Sequence, residues 1–234
     1  MNLTLPFTCK LVLFLSLFVG CSTAPKVFFK DTVDTETKLI RYQSKQTFIF
    51  AESGVSFSNQ FEGARLNSVD RLNDSVYIVT ILPENEPINH SPYYAFDVWS
   101  SSPKEITLKF KYPGQYKHRY VPKIKSNGTW SVADSLNFQF DENLSSLKLQ
   151  INPSAKIVSG QELHTSSIVY SWVDKLIEGK ESFVRSKTIG KTMLKRPFRV
   201  LDIYKGSPKD KPVLVLITRQ HPPEVTGYFA FQAF

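Results

Sequence analysis

Val213-Leu214-Val215-Leu216-Ile217-Thr218-Arg219-Gln220-His221-Pro222-Pro223-Glu224-Val225-Thr226-Gly227 runs from a continuous apolar stretch through two prolines into helical spacing. Five consecutive aliphatic residues are the pattern of a strand buried on both faces, which predicts a central strand over residues 213–217. Pro222 and Pro223 forbid regular ladder pairing, and residues 224–234 read as the opening turns of a helix. His221 and Glu224 then flank one strand-to-helix turn, at the strand end where open α/β folds place their chemistry. An imidazole nitrogen and a carboxylate in an H-x-x-E turn can converge on one metal ion at about 2.0 to 2.2 Å. The spacing alone is a weak signal, because such a match arises by chance and more often joins a surface histidine to a solvated glutamate.

The surrounding residues sharpen it. The stretch from Leu216 to Gly227 resembles the first zinc-binding segment of the carboxypeptidase A-like zinc carboxypeptidases. Ile189-Gly190-Lys191-Thr192, then Arg196-Pro197-Phe198-Arg199-Val200-Leu201-Asp202-Ile203, is similar to the signature that precedes the zinc strand in that family. Thr192 stands at its serine position and Lys195 at its glycine. Asn59-Gln60-Phe61-Glu62-Gly63-Ala64 and the region from His90 to Trp99, with Tyr93-Tyr94-Ala95-Phe96-Asp97-Val98, resemble the leading domain of the cytosolic-carboxypeptidase-like branch. That branch carries a β-sandwich in front of its catalytic domain. The resemblance covers most of residues 57–234 and is most specific toward the C-terminus.

What the resemblance implies is concrete. His221 and Glu224 would be ligands of one Zn2+ ion, the substrate a peptide or protein C-terminus, and the reaction hydrolysis of C-terminal residues by metal-activated water. The family's second histidine ligand, its substrate-clamping arginines and its catalytic glutamate would lie on later strands. No catalytic residue is therefore assigned here, and the chain is expected to be a fragment, inactive alone.

The fold class expected is an all-β sandwich over residues 26–155, followed over residues 160–234 by the opening helix and strands of an α/β zinc carboxypeptidase domain. Thr47-Phe48-Ile49-Phe50, Val55-Ser56-Phe57, and residues 75–81, 93–99, 106–111, 136–140 and 147–151 carry aromatic and β-branched residues at period two. Residues 82–87 and 112–114 punctuate them, and Ser126-Asn127-Gly128 is a type I′ hairpin candidate. Ile168, Val169, Trp172, Val173 and Leu176 share one helical face, with Thr165-Ser166-Ser167 as capping candidates and Gly179 past the end. Strands over residues 182–186, 198–204 and 213–217 would follow, with turns at Gly190 and at Gly206-Ser207-Pro208. Unpaired edges in residues 160–234 would make that part more labile than the sandwich.

Tyr93, Tyr94, Trp99, Tyr112, Tyr116, Tyr120 and Trp130 admit a second reading, a non-catalytic surface lipoprotein whose sandwich binds a glycan or protein partner. Core packing is the weightier explanation, since aromatics are the expected filling of a strand-rich domain. His90, His118 and His164 show no ligand spacing and read as surface or loop residues.

At the N-terminus, Lys10 precedes the apolar run 11–19, too short to span a bilayer of ~30 Å. Residues 1–20 read as a signal peptide, and Gly20-Cys21 resembles a bacterial lipobox, with an ordinary secretory signal as the alternative. The only other cysteine, Cys9, would leave with the signal, so Cys21 has no intramolecular disulfide partner and is best explained by acylation. Lipid on Cys21 would hold the protein on a membrane of a bacterial envelope, in the periplasm or at the outer membrane. The formal charge of +8 comes from 29 basic against 21 acidic residues. Those bases are dispersed along strand-like segments without a recognisable binding module, which argues against a nucleic-acid partner.

Overall fold

The computed structural model describes residues 40–84, 92–192 and 194–234. The chain divides into two units, Met1–Thr37 and Lys38–Phe234, and all described residues fall in the second. The expectations for Cys21, the signal segment and His90 lie outside the described residues.

Eleven strands build the N-terminal part: β1 (Thr47–Phe50), β2 (Val55–Ser58), β3 (Ser68–Arg71), β4 (Val76–Thr80), β5 (Ala95–Ser100), β6 (Lys104–Lys111), β7 (Lys123–Ser126), β8 (Thr129–Val132), β9 (Phe138–Gln139), β10 (Ser146–Ile151) and β11 (Lys156–Ser159). They pair into a six-stranded sheet, β1-β2-β5-β11-β7-β8, and a five-stranded sheet, β3-β4-β6-β10-β9. Alternation along each strand sends one set of side chains inward. Val55 and Phe57 of β2, Phe96 and Val98 of β5 and Val158 of β11 meet Tyr77 and Val79 of β4, Ile106, Leu108 and Phe110 of β6 and Leu147, Leu149 and Ile151 of β10 in one core. Phe57 and Tyr77 join the two sheets with ring centroids 5.3 Å apart, and Tyr94 meets Phe110 at 4.9 Å. Such pairs add roughly 0.5–1.5 kcal/mol each beyond the area they bury. Tyr94, Tyr112, Tyr116 and Tyr120 are buried, which takes them from display.

The β7–β8 hairpin turns through Asn127 (φ 50°) and Gly128 (φ 82°), the two left-handed residues a type I′ turn needs. Asn59, fully buried, ties the entry of the sandwich together. Its amide donates to the Ser44 and Leu66 carbonyls, both at 2.8 Å, and its Oδ1 accepts from the Gln46 N–H at 2.7 Å.

His118 departs from the sequence reading. It lies on a loop, as expected, but is 1% exposed, among Tyr94, Phe110, Tyr112, Tyr120, Phe138 and Phe140. Its Nε2 sits 2.5 Å from the Tyr120 carbonyl, so the proton is on Nε2, and Nδ1 is buried without a partner among the described residues. Desolvation pushes its pKa down to about 4.

After the sandwich, Thr165 caps helix α1 (Ser166–Ile177) by accepting from the Ile168 N–H, and Gly179 follows its end. Of the expected apolar face only Val173 is buried, while Ile168 and Leu176 are exposed. Strands β12 (Val184–Lys191) and β13 (Pro197–Ile203) form a separate antiparallel pair. The turn between them is not at Gly190, which continues β12 past a bulge. Thr192 and Arg196 close it, the Lys195 N–H donating to the Thr192 carbonyl at 2.8 Å and the Arg196 N–H to Thr192 Oγ1 at 3.2 Å. Lys195 adopts φ 60°, the left-handed conformation glycine prefers, which accounts for the glycine of the resembling signature.

Residues 213–217 correct a second expectation. They form no strand, and their side chains are between 51% and 85% exposed. An apolar run becomes a buried strand only beside a ladder, and among the described residues β13 pairs with β12 alone. Helix α2 (Val225–Ala233) follows, close to its expected position.

The sandwich and the C-terminal part meet through the 59–64 loop. Gly63 (φ 80°) passes so close to the entry of α1 that an added Cβ would lie 3.0 Å from Thr165 Cγ2 and 3.1 Å from Leu163 Cδ2. The adjacent Glu62 accepts hydrogen bonds from Ser166 Oγ at 3.2 Å and from the Arg196 guanidinium. Burial pushes its pKa up, but Ser167, Thr165, Arg196 and Ser166 together outweigh it and leave the carboxyl below its usual range.

Candidate metal centre

Two prolines shape the turn that precedes α2. Neither carries an N–H, so its internal hydrogen bonds come from the flanking residues: the Glu224 N–H to the His221 carbonyl at 3.2 Å and the Val225 N–H to the Pro223 carbonyl at 2.9 Å. Glu224 is the N-cap of α2, yet its carboxylate caps nothing in the helix. It turns back instead, Oε2 accepting from the His221 N–H at 3.1 Å and Oε1 lying 2.5 Å from His221 Nδ1. A carboxylate at an N-cap usually satisfies a free amide of the first turn. Here it is committed to the imidazole.

The turn therefore brings the His221 and Glu224 side chains together, although no strand precedes it. Hydrogen bonds from the His221 ring and then the His221 amide hold the Glu224 carboxyl below its usual range, so it is anionic at neutral pH. The donor set fits zinc, which takes imidazole nitrogen and carboxylate oxygen. The spacing is that of a shared proton: two donors on one tetrahedral ion stand about 3.4 Å apart. Both side chains are exposed, 66% for His221 and 46% for Glu224, and free to open by that amount. Among the described residues, no group of three His, Cys, Asp or Glu side chains is arranged to hold a metal. His118 is too deep in the sandwich core to join the pair.

Sequence reading missed two residues behind the turn. Arg219, in the left-handed conformation (φ 51°), donates from Nη1 to the His164 carbonyl and from Nη2 to the Pro222 carbonyl at 3.3 Å. The His164 ring packs on Tyr228 and Phe229 of α2, each 5.0 Å away, and Trp172 of α1 meets Tyr228 at 6.1 Å. Trp172 is thus the packing anchor its position suggested. Desolvation, followed by the Arg219 charge, lowers the His164 pKa. No short motif announces Arg219; a bulky residue at positive φ becomes visible only in the structure.

Residues 169–234 match the family model for zinc carboxypeptidase, and the segment bearing His221 and Glu224 lies within that match. Solved structures reproduce the larger fold. A metallo-carboxypeptidase from Burkholderia cenocepacia matches with a TM-score of 0.63 at 12% identity, over 76% of this chain and 47% of its own. A protein assigned as carboxypeptidase A from Shewanella denitrificans matches with a TM-score of 0.60 at 15% identity, over 75% and 46%. A Pseudomonas aeruginosa metallo-carboxypeptidase, solved with (2-guanidinoethylmercapto)succinic acid, matches with a TM-score of 0.51 at 16% identity, over 65% and 41%. The chain thus spans about half the length of these structures. No curated protein matches it.

Proposed function

We propose that this chain is the leading part of a zinc metallocarboxypeptidase, a β-sandwich joined to the opening portion of the catalytic domain, with His221 and Glu224 as two of the zinc ligands. The observation that carries the reading is the meeting of His221 Nδ1 and Glu224 Oε1 at 2.5 Å, inside the segment that matches the zinc carboxypeptidase family. The sandwich ahead of that segment supports the finer placement in the cytosolic-carboxypeptidase-like branch.

Zinc held by two histidines and a glutamate polarises a carbonyl and lowers the pKa of its bound water. The residues here do the holding. His221 offers Nδ1, Glu224 offers an already ionised carboxylate, and the two prolines restrict the backbone between them. A peptide C-terminus is the substrate this chemistry serves. Two ligands give weak affinity, and the 234-residue chain by itself is expected to show no turnover. The test is zinc bound at equilibrium in millimolar zinc, for the chain and its His221→Ala and Glu224→Gln variants. Binding that both substitutions abolish supports the reading, and equal binding by all three proteins refutes it.

We also read Cys21 as a lipid attachment site that places the protein on a bacterial envelope membrane, on the strength of Gly20-Cys21 following the apolar run 11–19. Cys21→Ser is expected to shift the product from the membrane to the soluble fraction. Unchanged membrane partitioning would exclude lipid anchoring.

A further inference from the structure

We propose that Arg219 is a positioning residue through which the sandwich sets the geometry of the His221–Glu224 turn. A continuous set of contacts leads there. Lys123 of β7 pairs with Glu162 at 2.7 Å, and Tyr93 Oη lies 2.8 Å from Ser159 Oγ, so the strand end and the linker after β11 are fixed to the sandwich. Two residues beyond Glu162, the His164 carbonyl accepts one arm of the Arg219 guanidinium, and the other arm reaches the Pro222 carbonyl inside the turn. One planar cation thus bridges two carbonyls, one on the linker and one between the two proposed ligands.

The arrangement is costly, as a purpose in positioning would require. A left-handed conformation disfavours a bulky residue, because its Cβ crowds the following carbonyl oxygen. The Arg219 Nε is also buried with no partner among the described residues. Strain of this kind persists where the surroundings over-determine it. The fork matters as much as the charge. A lysine ammonium has no rigid pair of donors and would serve the two carbonyls less well.

The effect on metal rests on the zinc reading, whereas the effect on the turn does not, and the experiment separates them. In the metal-free 234-residue chain, Arg219→Ala is expected to speed hydrogen exchange of the Glu224 and Val225 amides at least threefold. Arg219→Lys should fall between, and the amide of Leu108 in the sandwich should not change. Zinc titration followed by the His221 imidazole resonances is expected to give a dissociation constant about tenfold weaker for Arg219→Ala, with partial recovery in Arg219→Lys. Unchanged exchange at Glu224 and Val225 overturns the proposal whatever the metal does. Faster exchange with an unchanged zinc constant overturns the claim on metal geometry. Should wild-type His221 not respond to zinc at all, the zinc reading fails, and faster exchange would still establish Arg219 as the link between sandwich and turn.

Discussion

Glu62 of the sandwich and Arg196 of the β12–β13 turn share a charged hydrogen bond across 134 residues of sequence, with Ser166 Oγ bonded to both. The same carboxylate lies at the first turn of α1, where negative charge is favoured. Both ends are partly exposed, so solvent screens the pair.

Glu62→Gln is expected to destabilise the junction by about 0.5–1 kcal/mol, less at high salt. Because the folded pKa of Glu62 is depressed, its contribution is present above its unfolded pKa and is lost as pH falls through the lowered folded one. A double-mutant cycle with Arg196→Ala, read by thermal unfolding at two salt concentrations, checks this; additive effects would show the pair to be uncoupled.

The buried His118 gives the sandwich its own acid sensitivity. Its pKa falls from 6.5 to about 4 on folding, so the unfolded chain binds the proton first and stability declines as pH drops from 6.5 toward 4. The full loss is on the order of 3 kcal/mol. Urea unfolding between pH 7 and 4, compared with His118→Phe, tests it. The variant should lose most of that pH dependence.

Lys195→Gly should relieve a left-handed residue at the 192–196 turn. Strain relief of roughly 1–2 kcal/mol is opposed by about 0.4–1 kcal/mol of added freedom in the unfolded chain. A net gain of about 0–1.6 kcal/mol is expected, and it would appear as a raised unfolding midpoint. A lowered midpoint would mean that the Lys195 side chain contributes contacts that outweigh the strain.

The exposed run 213–217 is an aggregation hazard, being aliphatic, uncharged and without proline. Leu214→Lys is expected to reduce aggregation on heating while leaving sandwich unfolding unchanged. Light scattering measures the first and tyrosine fluorescence the second. Limited proteolysis should cut within residues 205–220 before it touches the sandwich.

The sandwich was legible because inward residues recur at period two, as in Ile106, Leu108 and Phe110, and because Asn127-Gly128 fixes its own turn. Strands β3 and β11 escaped notice, since Ser68-Val69-Asp70-Arg71 and Lys156-Ile157-Val158-Ser159 hold few apolar residues and take their order from neighbouring strands. His118 sits between Lys117 and Arg119, and nothing local reveals that its ring turns into the core. Residues 213–217 misled in the opposite sense, because periodicity reports what a segment would bury, not whether a ladder lies beside it. The closeness of His221 to Glu224 follows from their three-residue spacing across the turn. Arg219 was not, because its role depends on a carbonyl 55 residues away.

Anomalous diffraction at the zinc edge, from crystals of this chain soaked in millimolar zinc, tests the central claim most directly. The account expects a peak about 2.0–2.2 Å from His221 Nδ1 and from a Glu224 carboxylate oxygen, with the two donors opened apart. A peak at another site, with His221 and Glu224 still bonded to each other, would contradict it.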